Sequence, residues 1–376
     1  MTRAAQTTGR AHLAFVLALH RSLAPDPTRT ACWSPYSVAS ALGLTAFAAR
    51  GATRDELVTA LLGEPGADPR ALADALSAAA ELPGEHGAET PALTVANTLW
   101  AAQGLAVRPE FGDELAAWPN GAARTAPFAD DPEAARALIN DSVAETTRGL
   151  IRQLVPPGAV GPDTLSALVN ALYLRTGWRN RFPEHATAPQ PFHAPDGRRD
   201  VPTMRLTAKL GYAARHGWQA VTLPAVGGVD AVVLLPDGDL ATAEPELDTA
   251  RLADLLDAPS PARVDLALPR LRVAERASLQ EALGRLGVRR LFTKAADLGG
   301  LFVRERAYVD AVLHEAVLRI DEQGLEGAAA TAVMFRMAAV IREEPPVVVR
   351  VDRPFLVLVR HAGTGAVYFL ARVVAP

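Results

Sequence analysis

Apolar positions along the first part of the chain recur at helical spacing. Leu13, Val16, Leu17 and His20 share one face of a segment bracketed by His12 and Arg21, which predicts an amphipathic first helix. A secretion signal would set its apolar block nearer the first charge and end it at small residues, so the chain is expected in the cytoplasm. Residues 31–49 carry no charge and are long enough to raise a membrane span, but they are Ala-rich and contain Ser34, Pro35, Ser37, Ser40 and Thr45. A helix buried within the protein fits better, opened by Ser34 as N-cap and Pro35 at the first helical position. Thr53 with Glu56 reads as a capping box, and Asp68-Pro69 and Asp131-Pro132 open two further helices, the last running to Gly149.

Beyond about residue 160 the period changes to that of strands. Strands are expected over 165–174, 219–223, 231–235, 264–268, 312–320, 355–359 and 367–374. The last two are nearly continuous apolar runs joined through Gly363 and Gly365, which predicts a buried hairpin. Helices first and strands later, with little alternation between them, point to an α+β protein. No stretch has the length or composition of a linker, so residues 1–376 are read as a single domain.

Charge and chemistry narrow the function. The 38 basic residues against 42 acidic ones leave a net charge of −4, no footprint for nucleic acid or an anionic membrane. The single cysteine, Cys32, can form neither an internal disulfide nor a cysteine zinc site. Nucleotide-binding, hydrolase-elbow and dinucleotide motifs are missing, and His314-Glu315 lacks the second histidine of a zinc-protease helix because Leu318 stands there. The histidines are scattered without metal-ligand spacing, so neither metal nor cofactor is expected and an enzyme is disfavoured.

One segment fits no regular element. Residues 321–346 separate two strands, and a span that long is either functional or a misassigned helix. At period two, Leu325, Gly327, Ala329, Thr331, Val333 and Phe335 fall on one uncharged face, with Glu326 and Arg336 on the other. This is a latent strand, and its small side chains suit one that slides between two others.

Here the sequence resembles the serpins over nearly its whole length. The hinge of that family is similar to Asp321, Glu322, Gln323, Gly324, Leu325, Glu326, Gly327, Ala328, Ala329, Ala330 and Thr331. Trp33-Ser34-Pro35-Tyr36-Ser37, the run from Leu168 through Asn170 to Gly177, Trp178 and Phe182, Val312 to Val317 around His314, and Asp352-Arg353-Pro354-Phe355 with the closing hairpin match further motifs in order. The resemblance implies helices packed around a large central β-sheet with further sheets, and an exposed reactive-centre loop over 321–346. It also implies a monomer that traps a serine protease by suicide: the protease cleaves the loop, forms an acyl-enzyme and is carried along as the loop inserts. It assigns Ser34, Ser37, Asn170 and His314 to a polar shutter beneath the sheet, and Trp178 and Glu322 to the breach where insertion begins.

Two departures bear on this. The first inward hinge position is usually small but here is Leu325, which is expected to slow insertion rather than block it. Gly327 replaces an alanine, which lowers strand propensity without adding bulk. Counting from Gly324 places the reactive bond between Ala338 and Ala339, suiting an elastase- or subtilisin-like protease; Arg336 and Met337 are the alternative, suiting a trypsin-like one. The competing function is a non-inhibitory serpin, a binding or chaperone-like protein whose loop is cut without insertion.

Overall fold

The computed structural model describes residues 3–105, 108–109, 111, 121–301, 308–325 and 345–376. The helices are α1 (Arg3–Leu23), α2 (Pro35–Ala48), α3 (Gly51–Leu62), α4 (Pro69–Ala80), α5 (Pro132–Thr146), α6 (Leu240–Ala243), α7 (Thr249–Asp257) and α8 (Gln280–Arg285). On α1 the expected face, Leu13, Val16, Leu17 and His20, is buried. Helix α2 starts where the Ser34 hydroxyl accepts from the Ser37 N–H and Pro35 needs no partner, and it is buried along almost its whole length. The charge-free run divides: Ala31, Cys32 and Trp33, ahead of the helix, pair with Arg372, Ala371 and Leu370. Asp68 and Asp131 cap α4 and α5 as their sequence predicts.

Two helix limits differ from expectation. The N-cap of α3 is Arg50, with no side-chain cap, not Thr53. The Thr53 hydroxyl instead accepts from the Asp297 N–H, and Glu56 accepts from the N–H groups of Arg289 and Arg290, so distant loops take both ends of the expected box. Helix α5 ends at Thr146, three residues short of Gly149, and the Thr147 hydroxyl folds back onto the Val143 carbonyl.

The strands are β1 (Ala31–Trp33), β2 (Ala92–Ala102), β3 (Gly121–Ala126), β4 (Ser166–Gly177), β5 (Ala188–Ala194), β6 (Gly197–Arg215), β7 (Trp218–Ala225) and β8 (Val229–Pro236). They continue with β9 (Ser260–Pro269), β10 (Leu271–Ser278), β11 (Ala311–Ile320), β12 (Gly324–Leu325), β13 (Val347–Arg350), β14 (Phe355–His361) and β15 (Val367–Val373). A six-stranded sheet runs β10-β11-β12-β4-β2-β3, and a nine-stranded sheet runs β1-β15-β14-β8-β7-β6-β9-β13 with β5 on β6. The further sheets expected are joined into one by β6, 19 residues long, which pairs with β9 along one stretch and β7 along another. The first part of the chain is less helical than its pattern suggested, since β2 and β3 lie within it. Strand β3 pairs with β2, whose other partner β4 is some 70 residues away, and an isolated apolar run does not show which element it joins.

Strand β4 is the axis of the six-stranded sheet. It pairs antiparallel with β2 from Ser166 to Arg175. On its other side it pairs with β11 only from Ala167 to Ala171, opposite Ala311 to Glu315. Beyond Ala171 the two part, and at the far end β12 stands between them, Leu325 opposite both Ile320 and Thr176. Helix α2 packs beneath this sheet, within the same buried core as Leu168 and Leu172. Among the described residues no helix is long and apolar enough to cross a membrane.

Candidate functional site

Where β4 and β11 still touch, a polar cluster lies buried between the sheet and the start of α2. The Ser34 N–H, freed at the helix N-terminus, donates to Nε2 of His314 at 3.0 Å. That acceptor role places the ring proton on Nδ1, which donates to Oδ1 of Asn170 at 3.2 Å. The Ser37 hydroxyl donates to the same Asn170 oxygen, and the Asn170 amide donates to the Ser37 carbonyl at 2.7 Å and to Oδ1 of Asn97. Burial pushes His314 down to about 4, so the imidazole is neutral at physiological pH.

The second half of the site lies where β11 turns into β12. Trp178 is buried, its indole N–H donating to the Asp321 carbonyl at 2.8 Å and its backbone N–H to the Gln323 carbonyl at 3.0 Å. Phe182 N–H donates to the Glu322 carbonyl. The Asp321 carboxylate accepts from the N–H groups of Gln323 and Gly324, closing the turn. Glu322 is buried and held by Arg270, with guanidinium contacts of 2.7 to 3.0 Å, and by the Thr187 hydroxyl at 2.5 Å. Burial alone would raise the Glu322 carboxyl, but these donors outweigh it and hold it below the usual glutamate range.

The residues assigned by resemblance therefore fall into two groups. Ser34, Ser37, Asn170 and His314 share one network, and Trp178 and Glu322 meet at the turn that also carries Gly324 and Leu325. Glu326, Gly327, Ala328, Ala329, Ala330 and Thr331, with the reactive-bond candidates Arg336, Met337, Ala338 and Ala339, lie outside the described residues. The sequence reading missed Asn97, cross-strand from Asn170 on β2, and Ser40 on α2, which accepts from the Asn97 amide at 2.6 Å. Their one signal is a polar side chain within a largely apolar run. It also missed Arg270 and Thr187, which nothing local marks as partners of a residue more than 50 positions away. Among the described residues no group of three or more His, Cys, Asp or Glu is placed to hold a metal. Cys32 is buried, and burial pushes its thiol well above the usual range.

The arrangement is a sheet parted at one end around the start of a strand, over a hydrogen-bonded lock. The family model described as Serpin (serine protease inhibitor) matches residues 10–376, and the chain belongs to the serpin family. Serpin B8 from Homo sapiens is 31% identical, covering 96% of this chain and 97% of its own. The leukocyte elastase inhibitor of Bos taurus is 32% identical over 91% of this chain and 92% of its own. Uncleaved ovalbumin shares the fold with a TM-score of 0.85, at 23% identity over 98% of this chain and 99% of that one.

Proposed function

We propose that this protein is a suicide inhibitor of serine proteases, in which loop cleavage releases the hinge to insert between β4 and β11. One observation carries the reading: the first hinge residues already stand between those strands in a defined register. Leu325 faces Thr176 on β4 and Ile320 on β11. Continuing that register, each later residue meets one residue earlier on both strands, so Thr331 arrives opposite Asn170 and His314. Those two residues now face each other across the closed part of the sheet. Both registers lead to the same level, and the inward face of the incoming strand is then Leu325, Gly327, Ala329, Thr331, Val333 and Phe335, the uncharged one.

Serpin loop insertion is a known instance of strand addition. Here about a dozen newly paired residues, each ladder bond worth about 0.5–1.5 kcal/mol net, give on the order of ten kcal/mol. The cleaved bond in this reading lies between Ala338 and Ala339, with Arg336 and Met337 as the alternative. The target is elastase- or subtilisin-like, a kind of partner that the name of the bovine relative supports. The same reading takes the protein as a single-domain cytoplasmic monomer.

Incubation with an elastase, a subtilisin and a trypsin, followed by denaturing electrophoresis, tests it. A band at the summed mass is expected, and the first residue of the released C-terminal peptide identifies the bond. Loop cleavage without such a band, and without a rise in melting temperature after cleavage, refutes the reading in favour of a non-inhibitory serpin.

A further inference from the structure

We propose that the outer face of β6, β9 and β13 is a docking surface for an acidic patch on the target protease, with Arg205, Lys209, Arg263 and Arg350 as its cations and Val348 as its apolar anchor. The proposal rests on the inhibitory reading above and gives the partner in that reading a surface chemistry.

The register of three strands gathers these residues. Alternation puts Arg205, Thr207 and Lys209 on the exposed face of β6. Across the ladder Lys209 stands opposite Arg263, Thr207 opposite Asp265 and Arg205 opposite Ala267. On the far side of β9, Val348 stands opposite Asp265 and Arg350 opposite Ala267. One face thus holds four cations and a single carboxylate, in a chain whose net charge is −4. That carboxylate is buried beneath two of the cations. Arg205 donates to it through Nε at 2.9 Å and Nη2 at 2.8 Å, and Arg350 through Nη2 at 2.8 Å. The clamp holds both guanidiniums in fixed positions and leaves one positive charge over, so little side-chain freedom is lost when an anion meets them.

Two further features cost the free protein and favour a partner. Like charges directly opposite each other on paired strands are destabilising, and Lys209 faces Arg263 in that way. An acidic surface laid over the pair relieves the repulsion. Val348 is 57% exposed, one of two large apolar side chains left exposed among the described residues. It stands on β13, the edge strand of the nine-stranded sheet. An apolar side chain ringed by charges has the make-up of an interface centre and its rim. Position supplies the partner. The favoured reactive bond, after Ala338, lies eight residues before Val347, where β13 begins. Eight residues are at most about 28 Å of extended chain. A protease domain of about 250 residues is about 45 Å across, so one engaged at that bond comes within reach of this face.

Rapid-mixing assays of trapping test this with two subtilisin-like proteases, one of acidic and one of basic net charge. They compare wild type with Lys209→Glu, Val348→Ser and Lys294→Glu, the last reversing the same charge on an exposed lysine outside the three strands. At about 0.02 M salt, Lys209→Glu traps the acidic protease about fivefold more slowly or worse, and at about 1 M salt the difference closes. The variant turns a like-charge pair into an opposite-charge pair with Arg263, so a slower rate is not the mark of a damaged fold. Lys294→Glu stays within about twofold of wild type, and the basic protease loses no rate in Lys209→Glu. Val348→Ser slows trapping by about twofold or more at both salt concentrations, because apolar burial is not screened; an unmoved rate there removes the apolar anchor. Equal low-salt rates for wild type and Lys209→Glu overturn the docking, and so does an equal loss in Lys294→Glu, which marks attraction by the whole molecule. Retention on dextran sulfate that Lys209→Glu abolishes, with trapping rates unmoved, overturns it in favour of a polyanion. A wild type that is cut yet traps neither protease refutes the inhibitory reading itself, and the rate of loop cleavage then decides the docking by the same comparisons.

Discussion

Truncating Asn170 to alanine removes the side chain on which hydrogen bonds from Ser37 and His314 and to Asn97 converge. The consequences differ between the partners. The Ser37 hydroxyl can rotate toward a carbonyl of its own helix, as buried serines do. His314 has no such freedom: its Nε2 must accept from the Ser34 N–H, so the proton stays on Nδ1 and points into the space left by the amide. Stranding one buried donor costs about 1–3 kcal/mol, and each further lost hydrogen bond adds about 1 kcal/mol net. A loss of about 3–5 kcal/mol is therefore expected, a large share of the roughly 5–15 kcal/mol typical of folded domains. The assay is the midpoint of native-state unfolding in urea at neutral pH, followed by tryptophan fluorescence. A double-mutant cycle with Ser37→Ala should give a coupling of about 1 kcal/mol or more, because both substitutions remove the same bond. A loss below about 1 kcal/mol for Asn170→Ala would refute the idea that this amide locks sheet to helix.

Three further outcomes follow from the buried polar groups. Burial holds both His12 and His314 down at about 4 against an ordinary 6.5, so below pH 6.5 the unfolded chain takes up protons that the folded chain refuses. Stability should fall between pH 6.5 and 4 by about 1.4 kcal/mol per pH unit for each histidine, and a His12→Gln slope equal to wild type in urea titrations across that window would contradict it. Glu244 holds Arg372 through two contacts of 2.6 Å and His20 through another, all in the interior. Glu244→Ala should cost about 3–5 kcal/mol by leaving the guanidinium unpaired, and pairing Glu244→Leu with Arg372→Met should recover most of it; equal losses in the single and the double variant would sink the explanation. Trp178→Phe removes both the indole N–H from the Asp321 carbonyl and part of a buried ring system, so a loss of about 2–4 kcal/mol is expected in thermal melts, and none at all would mean that neither the bond nor the packing contributes.

Elements were legible from sequence where their cause is local. Asp68 and Asp131 cap their helices because an Asx side chain reaches only the next turn, and the strands around Leu168, Val233 and Leu358 follow from nearly continuous apolar runs. The reading failed where a distant partner decided. Thr53 and Glu56 look like a capping box, but the loops at Asp297 and Arg289 take those side chains. Ala31, Cys32 and Trp33 precede the helix that opens at Ser34 and Pro35, and only the open edge of β15 makes them a strand.

The functional site divides along the same line. The uncharged alternate positions from Leu325 to Phe335 belong to the chain itself, because side-chain alternation along a strand is a property of the backbone. So do the single cysteine, the near-neutral charge and the missing catalytic motifs. Only tertiary structure could decide that β4 and β11 part beyond Ala171, that Gly324 and Leu325 occupy the opening, and that Asn97 and Ser40 complete the cluster around Asn170 and His314. Those facts depend on which strands meet. Pairing between residues more than a hundred positions apart is settled by the burial and hydrogen bonding of the whole sheet, and no local pattern carries it.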